Sequence, residues 1–252
     1  GIRIGFAELE ARANRLAHHF RAMGLVEGDA VAVLMENNEH VHAVLWAARR
    51  CGLYYATIST HLTAPEAAYI VENSGARAII GSAVTRDVCA ELGSHPAAGV
   101  PVLRMLADGA LEGWQRYPEC VADYPVTPIV DEVEGDLLQY SSGTTGRPKG
   151  IRRELSHKSP QDAGVMLAPL LAAAGIDGHS VYLSPAPLYH TAPSVWSMQV
   201  QAAGITTVVL EKFDAEGCLD AISKNKVTHG QFVPVMFTRM LKLPQSVRDS
   251  YD

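Results

Sequence analysis

The residues best equipped for chemistry stand together in the run Leu138-Gln139-Tyr140-Ser141-Ser142-Gly143-Thr144-Thr145-Gly146-Arg147-Pro148-Lys149-Gly150. Its glycines let the backbone turn sharply and bring several N–H groups toward one ligand. Ser141, Ser142, Thr144 and Thr145 add hydroxyl donors, and Lys149 adds a point charge. Such a collar suits a polyphosphate. It is not a Walker A loop, which needs Gly before the Lys and Ser or Thr after it; here Pro148 precedes Lys149 and Gly150 follows. The plainer alternative is a polar turn between a strand and a helix. The long defined run directly after an apolar strand favours the phosphate reading.

The elements that must carry this segment alternate. Phe6, Leu9, Ala13, Leu16, Ala17 and Phe20 recur at helical spacing before Gly24. Continuous apolar runs at 30–35, 53–58, 77–80 and 100–106 read as strands, with helices at 41–48, 64–74 and 86–92 between them. Thr63-Ala64-Pro65-Glu66 is a capping box. Residues 107–135, with Pro118, Pro125 and Pro128, break the rhythm and read as a connector. After it come a strand at 136–142, an apolar helix at 163–174, and strands at 181–184, 205–211 and 228–233. Helices at 195–203, from the Asp214 cap to 223, and from Pro234 separate them. The pattern predicts an α/β protein of layered parallel-sheet type with two βαβ-type subdomains, 1–106 and 136–252, joined by the 107–135 connector.

Composition narrows the partners. The 252 residues carry 21 Lys+Arg against 27 Asp+Glu, a net charge of −6, with 48% hydrophobic and 19% charged residues. That much apolar surface excludes intrinsic disorder. The acidic balance argues against a nucleic-acid partner, so phosphate must be met at a local site. Cys51, Cys89, Cys120 and Cys218 form no C-x-x-C pair and read as reduced thiols of a cytoplasmic protein. The uncharged stretch 163–176 is interrupted by Pro169 and is too short to span a bilayer, so no transmembrane segment is expected. No secretory signal opens the chain. It lacks an initiator Met and stops without a closing element, so both ends read as cut.

At the Tyr140–Gly150 run the sequence resembles the phosphate loop of the adenylate-forming superfamily, which includes acyl-CoA synthetases, peptide-synthetase adenylation domains and luciferases. Leu183-Ser184-Pro185-Ala186-Pro187-Leu188-Tyr189-His190-Thr191 resembles that family's P-x-x-H segment near the acyl pocket. Weaker colinear matches flank both: Phe6-Ala7-Glu8-Leu9 with Asn14-Arg15-Leu16-Ala17, Gly28-Asp29-Ala30-Val31, and Phe213-Asp214-Ala215-Glu216 with Val227-Thr228-His229 and Val233-Pro234. The resemblance implies the N-terminal part of an acyl-CoA synthetase-like fold, with the C-terminal domain absent. It also implies a two-step reaction using ATP, Mg2+ and coenzyme A, in which a carboxylic (fatty) acid is adenylated and then passed to a thiol. By this resemblance Ser141, Ser142, Gly143, Thr144, Thr145, Gly146 and Lys149 contact the ATP phosphates, and Lys149 and His190 are the catalytic candidates. An adenylation domain loading a carrier protein, or a non-catalytic nucleotide- or acyl-binding module, remains as an alternative.

The chain also departs from the pattern. Ile151-Arg152-Arg153-Glu154-Leu155 replaces a hydrophobic stretch, so Arg147, Lys149, Arg152, Arg153 and Lys158 face only Glu154. This is either a landing surface for phosphates or a solvated charge cluster. The family's adenine turn, magnesium-holding Glu, ribose Asp and C-terminal Lys have no counterpart, and the fragment alone is expected to be inactive. The histidines, among them His18-His19 and His40/His42, form no H-E-x-x-H, and no metal ligand is assigned. No G-x-S-x-G elbow supplies a nucleophile. Residues 165–171, Trp196 and Met198 could line an acyl tunnel, but core is the favoured reading.

Overall fold

The computed structural model describes residues 1–94, 101, 103–141 and 148–251, with only the backbone of Ser94 and Ser141. Two units form, Gly1–Ala163 and Gly164–Asp252. The first contains α1 (Phe6–Ala22), β1 (Ala30–Leu34), α2 (Val41–Arg50), β2 (Tyr54–Thr57), α3 (Ala64–Ser74), β3 (Ala76–Ser82) and α4 (Arg86–Ser94). It continues with β4 (Leu103–Ala107), β5 (Gln115–Tyr117), β6 (Asp136–Leu137), β7 (Gln139–Ser141), β8 (Lys149–Ile151) and α5 (Pro160–Ala163).

Six strands in the order β5-β4-β3-β1-β2-β6 make one sheet, and every pairing is parallel. β2 and β3 flank β1 on opposite sides, so right-handed crossovers send α2 and α3 to opposite faces. This is why β1 is buried along its whole length and reads as a continuous apolar run rather than an alternating one. Ala30, Ala32 and Leu34 share a core with Ala67, Ala68, Ile70 and Val71 of α3 and with Cys89 and Leu92 of α4. Helix α3 begins as the sequence predicts: the Glu66 carboxylate accepts from the Thr63 N–H at 2.8 Å and from its hydroxyl at 2.7 Å. Its carboxyl is held below the usual range by those bonds.

Residues 107–135 belong to the first unit. They supply β5 beside β4 and bury Tyr117, Val121 and Ile129. Two buried arginines of α2 hold this stretch. Arg49 pairs with Glu134, and Arg50 reaches Glu10 at 2.8 Å and Glu132 at 3.5 Å. Hydrogen bonding to Arg50 lowers the Glu10 pKa, whereas burial outweighs the arginines and raises those of Glu132 and Glu134. At Gly135 the chain passes hard against β2: its N–H donates to Arg49 O at 2.6 Å, and a Cβ there would lie 2.2 Å from Leu53 O.

The strand expected over 136–142 is two strands. β6 extends the parallel sheet beside β2, and after Leu138 the chain turns away so that β7 pairs antiparallel with β8. The second unit holds α6 (Ala168–Ala173), β9 (Val181–Ser184), α7 (Thr191–Ala202), β10 (Thr206–Val209), α8 (Ala215–Asn225), β11 (His229–Gly230), α9 (Pro234–Leu241) and α10 (Gln245–Arg248). Its sheet is β10-β9-β11, all parallel. The apolar helix expected over 163–174 is confined to α6, because Gly164 takes φ +63 and Pro169 opens the helix. The strand expected over 228–233 is only two residues long; beyond it Phe232 turns into a cluster with Leu183, Cys218 and Met240. The Asp214 cap is formed, its carboxylate accepting from Gly217 N at 2.7 Å.

Candidate functional site

Lys149 opens β8 directly across the antiparallel ladder from Ser141, and Gly150 stands opposite Tyr140. The Gly-rich run is therefore the connection of a hairpin, not a strand-to-helix turn. Ser142, Gly143, Thr144, Thr145, Gly146 and Arg147 lie outside the described residues, as does the side chain of Ser141. Lys149 is exposed, so its ammonium is presented to solvent at the end of the hairpin.

What sets that position is the packing of the hairpin base. Tyr69 donates its hydroxyl to Pro148 O at 3.1 Å, and Tyr140 donates to Asn73 Oδ1 at 2.8 Å. Burial pushes the Tyr140 phenol up to about 12. Tyr54 donates to Arg153 O at 2.5 Å. The basic cluster is partly committed to the same task. Arg152 stacks 4.4 Å over the Tyr54 ring and donates to Ser74 O at the end of α3 (3.0 Å), while Arg153 bonds Asp136 at 2.8 Å. Lys149 and Lys158 are exposed. Neither reading of the cluster anticipated this structural use of the two arginines after Gly150.

In the second unit, His190 takes the N-cap position of α7, with extended φ −85 and ψ 146. Its N–H donates to Pro187 O at 3.1 Å, its carbonyl accepts from Ser194 N at 3.2 Å, and its ring lies 4.7 Å from that of Tyr189. Partial desolvation lowers its pKa from the usual histidine value, which favours the neutral imidazole. The core reading of residues 165–171 holds only in part: Leu171 joins Ile176, Tyr182, Val200 and Ile205, with Val165, Leu167 and Trp196 packed on them, while Met166 and Leu170 are each 54% exposed. Met198 is buried as well.

Among the described residues no group of three or more His, Cys, Asp or Glu could hold a metal ion. The described residues thus present no ligand set of that kind for magnesium. Among the described residues no helix is long and apolar enough to cross a membrane. Sequence reasoning named Lys149 and His190 as candidates and did not single out Tyr69, Asn73 and Ser74, which fasten the hairpin base. They lie in the second half of a predicted helix, and only their four-residue spacing hinted at a shared face.

The parallel sheet and the hairpin it carries define the N-terminal fold of an adenylate-forming ligase. The chain belongs to the AMP-binding enzyme family, whose model matches residues 1–251. It is similar to the long-chain-fatty-acid–CoA ligase FadD13 of Mycobacterium tuberculosis, with 28% identity across 97% of this chain and 47% of that protein. It is likewise similar to the fatty acid–[acyl-carrier-protein] ligase ScoC of Streptomyces coeruleorubidus, with 28% identity across 97% of this chain and 46% of that protein. The inhibitor-bound N-terminal domain of FACL13 from Mycobacterium tuberculosis shares the fold at TM-score 0.79 and 26% identity, covering 97% of this chain and 59% of that domain. The chain spans about half the length of the curated relatives it matches.

Proposed function

We propose that this chain is the phosphate-gripping part of an AMP-forming ligase that activates a hydrophobic carboxylic acid. The observation that carries the reading is Lys149, set opposite Ser141 at the end of the hairpin where the Gly-rich run joins its strands, and exposed to solvent. The family match agrees with it, and FadD13 carries a long-chain-fatty-acid ligase name.

In the first step a carboxylate oxygen of the acid bonds to the α-phosphorus of ATP. The bond from that phosphorus to the bridging oxygen breaks, and pyrophosphate leaves with the electron pair. Positioning and charge neutralisation supply most of the catalysis in such a displacement. Ser141, Ser142, Thr144 and Thr145 would donate hydroxyls, Gly143 and Gly146 backbone N–H groups, and Lys149 its ammonium, to the phosphate oxygens. Neutral His190 would sit beside the carboxylate, where an imidazole can donate one hydrogen bond without adding charge. Magnesium, when bound, offsets phosphate charge. In the second step a thiolate attacks the acyl carbonyl carbon and AMP leaves. Coenzyme A is the proposed thiol; the name of ScoC supports a carrier protein as the second reading. We place the protein in the cytoplasm, in keeping with its free cysteines.

ATP–pyrophosphate exchange in the complete ligase carrying this chain, tried against a panel of acids, tests the reading. Exchange with a hydrophobic acid is expected, and none with any acid would sink it. Replacing Lys149 by Ala should slow exchange about a hundredfold or more, the loss typical of one preorganised charge-stabilising donor. An unchanged rate would remove Lys149 from the site. The 252-residue chain by itself is expected to bind ATP weakly, because it carries neither adenine nor ribose motif. Tight saturable binding by calorimetry would favour the non-catalytic module.

A further inference from the structure

Lys149 stands between two residues that are each fastened to α3. On one side, the Pro148 carbonyl takes the Tyr69 hydroxyl at 3.1 Å. On the other, Gly150 faces Tyr140, whose ring fills the space a side chain would need: a Cβ on Gly150 would lie 2.9 Å from Tyr140 Cζ. Tyr140 is itself held by Asn73 Oδ1 at 2.8 Å. Tyr69 and Asn73 are four residues apart on α3 and so project from one face, a turn from each other. β7 and β8 have three residues each. A two-stranded ribbon this short is marginal alone, so its geometry must come from what it rests on.

We propose that Tyr69 and Asn73 are positioning residues for Lys149, holding the peptide on either side of it so that its ammonium is aimed before ATP arrives. The proposal rests on the reading of Lys149 as the ATP-phosphate lysine. Neither residue touches the nucleotide; both act through the strand. The benefit is preorganisation: a lysine on a loose ribbon would lose freedom on binding, whereas one on a moored ribbon has already lost it.

Tyr69→Phe deletes one hydroxyl, and Asn73→Ala deletes one acceptor. Glu66→Ala, on the same helix, weakens its N-terminal cap without touching the hairpin and serves as the control for simple destabilisation. In the exchange assay each mooring variant should raise KM for ATP about fivefold, the fold-change of one net hydrogen bond, with KM for the acid unchanged. Glu66→Ala should move neither, and in a Lys149→Ala background the mooring variants should cost nothing more. Equal rises for acid and ATP, a matching effect from Glu66→Ala, or an undiminished effect without Lys149 would each overturn the proposal.

A second readout needs no activity. With lysines reductively methylated using a 13C label, the Lys149 resonance, identified by its loss in Lys149→Arg, should shift in both mooring variants and stay fixed in Glu66→Ala. An unmoved resonance overturns the proposal. A moved resonance in an enzyme that shows no exchange would instead overturn the ATP reading and leave the mooring intact.

Discussion

The two units solve the same packing problem to different depths. In the first, β1 is buried at every residue between two layers of helices. In the second, β10 has no fully buried residue, and α9 turns Val235, Phe237 and Leu241 to solvent while burying Met236 and Met240. The contrast teaches where rigidity is available. The hairpin bearing Lys149 hangs from the well-buried sheet, through α3, whereas His190 stands at the start of a helix in the shallower unit. On the proposed reading, a polyphosphate grip needs fixed donors, and Lys149 is held by the more deeply buried unit.

The largest expected effect tests that depth directly. Leu45 is fully buried in α2, and Leu45→Ala should cost about 2–5 kcal/mol in urea denaturation, the range for a buried Leu in a close-packed core. A loss under about 1 kcal/mol would mean the first unit is less tightly packed than its burial indicates.

Next comes acid. Burial pushes the His42 imidazole down to about 4 from 6.5. The folded state therefore favours the neutral ring, and the unfolded chain binds the extra proton between those values. Stability falls as pH drops from 6.5 to 4, by about 3 kcal/mol at 1.36 kcal/mol per unit. Denaturation of His42→Gln across that window should show a correspondingly shallower slope. An identical slope would remove His42 as the origin of the acid sensitivity and blur the distinction between the units.

The smallest effect belongs to the second unit. Leu241 is 66% exposed, so Leu241→Ala in the 252-residue chain should change stability by less than about 0.5 kcal/mol. A cost near that of Leu45→Ala would break the comparison outright.

Legibility in the sequence follows the same division. Features written in local chemistry were readable: the Thr63–Glu66 box, the Asp214 cap, and the continuous apolar run of β1. The family was readable too, from the Tyr140–Gly150 run and its colinear flanks, and the family model that matches residues 1–251 agrees. The return strand was not. Lys149, Gly150 and Ile151 are all exposed and carry no alternating pattern, so nothing local announced β8 or the break after Leu138. The helix expected across 163–174 failed for a related reason. Its apolar content was real, but the left-handed Gly164 and the helix-opening Pro169 decided the boundary. The mooring by Tyr69 and Asn73 lies further out of reach. Both residues look like ordinary positions on an amphipathic helix until the hairpin arrives from far along the chain.

The close passage at Gly135 carries a lesson for comparing relatives. A side chain there would collide with the Leu53 carbonyl, so glycine is dictated by two strands of backbone crossing at contact distance. Gly150, by contrast, makes way for the ring of a neighbouring tyrosine, and a smaller residue at 140 would release it. Were both glycines constant among relatives, the first would record only the route of the polypeptide, and the second would vary together with its aromatic partner. Covariation, rather than constancy, is therefore the signal that separates a glycine kept for threading from one kept for the grip.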